Sequence, residues 1–139
     1  MSKIYTPEEL AKPGTENAHQ TALFCQCNLH LSKYPELEWY HAIPNGGTRG
    51  GSTQQSMING AKLKASGVKA GVVDTFLPVR RGKWSGLYIE LKKPGKIKQV
   101  SKEQKDFMTF VEKEGYATAV FDNWSDAWKC LVQYLEWKD

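Results

Sequence analysis

Three residues stand out for the chemistry that their types and spacing permit: Asp74, Glu90 and Lys92. Asp74 closes the run Gly71-Val-Val-Asp74. Glu90 lies within Leu87-Tyr-Ile-Glu90-Leu-Lys92, and 15 residues separate the two acids. A hairpin of that size can set both carboxylates side by side on one face of a sheet. Two carboxylates held close repel each other unless a cation neutralises them. Oxygen ligands of this kind suit Mg²⁺ or Mn²⁺. Lys92 follows Glu90 by two residues and shares its face of the strand. Its ammonium can hold a water and offset charge on a phosphate. The set is a kit for metal-assisted phosphodiester hydrolysis, in which a cation lowers the pKa of water and stabilises the charge developing at phosphorus. An edge strand with alternating charges has the same spacing. The chemical reading gains from the apolar opposite face of Leu87, Ile89 and Leu91, from the basic segment around the strand, and from Glu16, a third carboxylate on a preceding helix.

The elements that must position these residues follow from local signals. Thr6-Pro7-Glu8-Glu9 opens a short helix with a cap, a proline at the first position and a capping-box acid. A second helix is expected from Thr15 to about Lys33, with Glu16 and Gln20 on one face. Leu37 to Ile43 predicts a strand. Pro44 to Gly51 is a loop with four glycines. Residues 53–66 predict a weaker helix, interrupted by Gly60 and closed by Gly67. Gly71 to Val79 is strand-like, Arg80-Arg81-Gly82-Lys83 is a hairpin-like turn, and Leu87 to Lys92 is the clearest strand. A helix follows from Ser101 to Glu114, capped by Gly115. Tyr116 to Phe121 predicts a strand, and Asn123 caps a last helix with Trp124, Trp128, Leu131 and Leu135 at helical spacing. The order α-β-α-β-β-α-β-α describes an α/β fold, a mixed central sheet flanked by helices.

At 139 residues the chain is expected to form one domain, 1–139, with residues 1–14 as an N-terminal extension. No apolar run approaches the roughly 20 residues of a membrane span. The N-terminus lacks a signal-peptide core, so a cytoplasmic setting is expected, whether nucleoid-associated or in a virus-infected host cell. Cys25, Cys27 and Cys130 have no metal-knuckle spacing and are expected to be reduced core thiols. The net charge of +4 hides an asymmetry. Residues 61–105 hold twelve Lys and Arg against three Asp and Glu. Either a solvated basic face or a polyanion partner accounts for that.

The ordered set of motifs resembles the PD-(D/E)xK nuclease signature, and more narrowly the VRR-NUC (virus-type replication-repair nuclease) domain of the stand-alone phage and bacterial type. It is carried by Glu16 with Gln20, Ile43-Pro44-Asn45-Gly46, Gly67-Val-Lys-Ala-Gly71 leading to Asp74, Tyr88-Ile-Glu90-Leu-Lys92, Ser101-Lys-Glu-Gln104 and Gly115-Tyr116. It covers roughly residues 15–130. Val73 stands where the signature's name has proline, which only shapes the strand.

The resemblance implies a PD-(D/E)xK core and a Mg²⁺-dependent (or Mn²⁺-dependent) DNA endonuclease. Asp74 and Glu90 would be metal ligands, with the Leu91 carbonyl a third and Glu16 a fourth, directly or through water. Lys92 would be the catalytic lysine, and Gln104 would orient it or a phosphate. The family setting implies a homodimer on branched DNA such as four-way (Holliday) junctions, in repair or viral replication. Phosphate contacts are expected from Lys93, Lys96, Lys98, Arg80, Arg81 and Lys83, and further DNA contacts from Gln20, Asn45 and Arg49. The alternatives are a nuclease on flap, nicked or linear DNA, and a DNA-binding module that does not cut.

Several of these residues have structural rivals. Glu16 suits the helix dipole in a first turn. Gln20 suits an exposed helix position and Asn45 a turn. Gln104 is the third helical residue after Ser101, so Ser-x-x-Gln is itself a capping box. Capping and catalytic support would then compete for one carboxamide. His19, His30 and His41 are unclustered. A partly buried, satisfied imidazole suits His41 better than a nucleic-acid contact. The aromatics of the last helix, Trp128 and Trp137 among them, are expected in the core or at a subunit contact.

Overall fold

A computed structural model describes residues 4–44 and 53–138. Its elements are helix α1 (Pro7–Ala11), helix α2 (Glu16–Leu29), a 3₁₀ turn (Pro35–Trp39), strand β1 (His41–Ala42), helix α3 (Thr53–Ala65), strands β2 (Thr75–Leu77) and β3 (Leu87–Leu91), helix α4 (Lys102–Lys113), strand β4 (Ala117–Phe121) and helix α5 (Trp124–Leu135). The sheet runs β1-β2-β3-β4. The first two pairings are antiparallel, and β3 pairs parallel with β4 through the α4 crossover. This is the mixed α/β sheet flanked by helices that the sequence order implies.

One sheet face makes the core. Leu77, Leu87, Ile89 and Leu91 are buried there against Leu23 and Cys27 of α2 and against Leu131 and Leu135 of α5. The alternation along β3 therefore turns Tyr88, Glu90 and Lys92 to the other face. The cysteines are free thiols, with Cys27 buried and Cys25 and Cys130 partly so. Among the described residues no helix is long and apolar enough to cross a membrane.

Several boundaries depart from the sequence expectation. The stretch 37–43 is mostly not strand. Pro35 starts a 3₁₀ turn that buries Leu37, and only His41 and Ala42 pair with β2. Helix α2 stops at Leu29, because His30 caps it and the chain turns back through Lys33 and Tyr34, whose N–H groups both bond the His30 carbonyl. Helix α3 runs through Gly60 without interruption and closes at Gly67, whose φ is +103°. Strand β2 is three residues long. Pro78 has no N–H to continue the ladder, and the Val79 N–H turns back to the Leu77 carbonyl.

Candidate active site

The β2–β3 register decides where the acids lie. Thr75 faces Ile89, so the next antiparallel step sets Asp74 opposite Glu90. The Ile43 N–H donates to the Asp74 carbonyl at 2.7 Å, extending the β1 side of the same ladder. Each carboxylate then grips the opposing backbone. The Asp74 N–H donates to Glu90 Oε1 at 3.0 Å, and the Leu91 N–H donates to Asp74 Oδ2 at 2.9 Å. Behind Asp74, the buried Thr75 hydroxyl donates to the Ile89 carbonyl at 2.8 Å and meets the Tyr40 hydroxyl at 2.6 Å. Tyr40 stacks on Phe24 of α2 with ring centroids 4.7 Å apart. Tyr40 and Thr75 thus fix the strand that carries Asp74. Sequence reasoning missed both, since neither belongs to a motif.

Glu90 is 1% exposed. Burial, then the nearby Asp74 charge, pushes its carboxyl up to about 7, against the pull of Lys92. Lys92 Nζ lies 3.1 Å from Glu90 Oε2. It also donates to Gln104 Oε1 at 2.8 Å, while Gln104 Nε2 donates to Glu90 Oε2 at 2.5 Å. Gln104 Oε1 accepts a second bond from the Ser101 N–H at 3.1 Å, and the Ser101 hydroxyl accepts the Gln104 N–H. The capping box and the contact with Lys92 therefore coexist. The expected competition fails for a simple reason: the carboxamide oxygen has two lone pairs and the amide nitrogen is a separate donor.

Gly71 lets this helix end approach. Its φ is +90°, and a Cβ there would stand 2.6 Å from the Glu103 carbonyl carbon and oxygen. The segment leading into Asp74 thus lies flush against the first turn of α4, the turn that carries Gln104.

The other expected residues are placed less centrally. Glu16 is exposed at the start of α2, where it borders a hollow of about 300 Å³ shared with Thr15, Asn17 and Lys93. Among the described residues no three His, Cys, Asp or Glu side chains form a group that could hold a metal, so Glu16 does not complete a trio with Asp74 and Glu90. Gln20 lines a separate depression with Leu10, Phe24 and Asn28. Lys93, Lys96 and Lys98 are exposed on the loop leaving β3. Asp122 anchors that loop by accepting the Gly95 N–H at 3.0 Å. Arg80 and Lys83 are exposed. Arg81 is tied inward, to the Leu135 carbonyl at 3.0 Å and to Glu36 at 2.7 Å. Asn45 and Arg49 lie outside the described residues. His41 is exposed rather than partly buried and bonds the Trp39 carbonyl.

Among solved structures, the chain is similar to one described as a VRR_NUC domain protein. The two are 28% identical, superpose with a TM-score of 0.68, and match over 90% of this chain and 91% of that one. This chain has the fold of a VRR-NUC domain. No family model matches the sequence, and no curated protein matches it. The VRR-NUC fold supports a nuclease-type function. It also gives the four-stranded mixed sheet its frame, with the acidic pair of Asp74 and Glu90 where β2 and β3 meet.

Proposed function

We propose that this VRR-NUC domain is a Mg²⁺-dependent (or Mn²⁺-dependent), structure-specific DNA endonuclease. It hydrolyses phosphodiester bonds in branched DNA such as four-way junctions and acts as a homodimer. The observation that carries this reading is the closed network of Asp74, Glu90, Lys92 and Gln104.

The residues fit a divalent cation. Two hard carboxylates are held together, one of them fully buried and reluctant to ionise, with Lys92 as its counter-charge. A cation relieves that repulsion. Asp74 and Glu90 would hold it, with the Leu91 carbonyl as a further oxygen and Glu16 acting from the rim through water. When bound, the cation supplies Lewis-acid chemistry, favouring ionised water and countering charge on the phosphate. Lys92 turns its ammonium toward the attacking or non-bridging oxygen and stabilises the negative charge that develops there. Gln104 holds the ammonium in that direction. Lys93, Lys96 and Lys98 meet flanking phosphates, reading charge and shape rather than base sequence. Paired cuts on two strands require two such sites about a two-fold axis.

The test is cleavage of labelled linear duplex, flap, splayed-arm and four-way substrates with Mg²⁺ or EDTA. Paired, metal-dependent cuts confined to the four-way substrate support the full reading. Cuts on flap or linear DNA move the specificity elsewhere. Binding without cutting in any metal leaves a non-catalytic module.

A further inference from the structure

At the other end of β3 from the carboxylates lies a groove of about 340 Å³. It runs beside β4, the sheet's edge strand, and Trp84, Trp137 and Tyr134 are among the residues that line it. That volume falls in the range of ligand sites. Its walls are fixed. Arg81 ties the 81–84 turn to the Leu135 carbonyl, and the Tyr134 hydroxyl donates to the Val79 carbonyl at 2.6 Å. Gly82, at φ +55°, lies against the Trp137 indole so closely that a Cβ there would meet the ring at 3.2–3.4 Å. Yet Trp137 remains 49% exposed.

The rim is basic. Lys83 Nζ sits 4.7 Å over the Trp84 ring, and Arg80 and Lys138 are exposed nearby in sequence. The neighbouring acid Glu136 accepts a hydrogen bond from the Tyr34 hydroxyl, and Glu36 is paired with Arg81. Flat indole faces with cations beside them suit a polyanion that carries π-faces, and nucleic acid is that class. A base inside a duplex has both faces covered by its neighbours, so only an unpaired base can enter.

We propose that this groove binds unpaired bases of a DNA strand, stacked on Trp137 beside Trp84, and that it holds a strand unpaired at the substrate's branch point away from the cleavage site. The proposal extends the nuclease reading above. Leu87 lines the groove, and Glu90 lies three residues on, about 10 Å along β3 and on the other face. A strand reaching both must pass from one face of the sheet to the other, which a flexible single strand does and a stiff duplex does not.

The experiment titrates a ten-residue oligo-dT, a splayed-arm duplex and a blunt duplex into the native chain, Trp137→Ala, Trp137→Phe and Lys92→Ala, in EDTA. Intrinsic tryptophan fluorescence and anisotropy are the readouts. Trp137→Ala should weaken oligo-dT and splayed-arm binding about 10-fold, leave blunt duplex unchanged, and lose part of the quenching. Trp137→Phe should restore binding, and Lys92→Ala should quench like the native chain. Binding of oligo-dT and the splayed-arm duplex by Trp137→Ala at native strength overturns the proposal. So does a change in oligomeric state with DNA affinity intact, which would make the groove a contact between copies. If oligo-dT quenches but no DNA is ever cut, the nuclease reading fails and the groove stands.

Discussion

Lys92 touches two partners that differ in charge. Glu90 fixes its distance from the carboxylate pair, and Gln104 fixes its direction. Lys92→Ala should lower cleavage by at least about 100-fold, the scale of a lost electrostatic or acid–base group, while circular dichroism stays native. Ser101→Ala acts at one remove. It should cost about 1 kcal/mol of stability through the lost cap. It should also move the Gln104 side-chain amide resonances and reduce kcat more than affinity, and Ser101→Thr should restore both. Glu90 sets the pH behaviour. Its carboxyl is raised from 4.5 to about 7, so the fold binds a proton more tightly than the unfolded chain does. This contribution to stability is complete below about pH 4.5 and is lost as pH rises through 7, a change on the order of 3 kcal/mol. In metal-free protein, ¹³C NMR should find the Glu90 midpoint near 7. Asp74→Asn should bring it down without reaching 4.5, because burial is the larger cause. Added Mg²⁺ should raise the melting temperature more at pH 8 than at pH 5.

At the scale of elements, the site depends on how α4 meets β3. Gly71→Ala adds a side chain at positive φ and drives it into the Glu103 backbone. It should cost at least about 2 kcal/mol in urea titrations and lower activity further by displacing Gln104. The start of α5 carries a second dependence. His19 Nδ1 accepts the Trp124 N–H at 3.0 Å, which requires a neutral ring, and burial lowers the His19 pKa. That contribution is present above pH 6.5 and is lost as pH falls through the lowered value.

The same scale explains what the sequence reveals. The alternation from Leu87 to Leu91, the caps Thr6, Ser101 and Asn123, and Gly115 after α4 are short-range signals, and they appear where expected. The stretch 37–43 misleads because Leu-Glu-Trp-Tyr alternates like a strand, while Pro35 and the burial of Leu37 favour a 3₁₀ turn. Asp74 beside Glu90 is legible only as a possibility, because a hairpin with 15 intervening residues can close in several registers and tertiary packing selects this one. The Tyr40–Thr75 contact and the Gln104 bridge are not, because each depends on a tertiary approach with no local pattern.

Over the whole molecule, the basic segment 61–105 supplies both the strand of the site and the loop beside it. If Lys93, Lys96 and Lys98 each neutralise a phosphate, replacing all three with alanine should reduce the slope of log affinity against log salt by about 2.7. It should weaken binding uniformly across DNA sequences. A salt slope near zero for the native chain would exclude phosphate contact as the basis of binding.

The most direct measurement is single-turnover cleavage of a labelled four-way junction by the native chain and by Lys92→Ala, each with Mg²⁺ and with EDTA. A nuclease centred on Asp74, Glu90 and Lys92 cuts only as the native protein with metal, and it loses the cut in the variant although the DNA remains bound. Cleavage that survives EDTA or the loss of Lys92 would contradict the assignment of these residues as the active site.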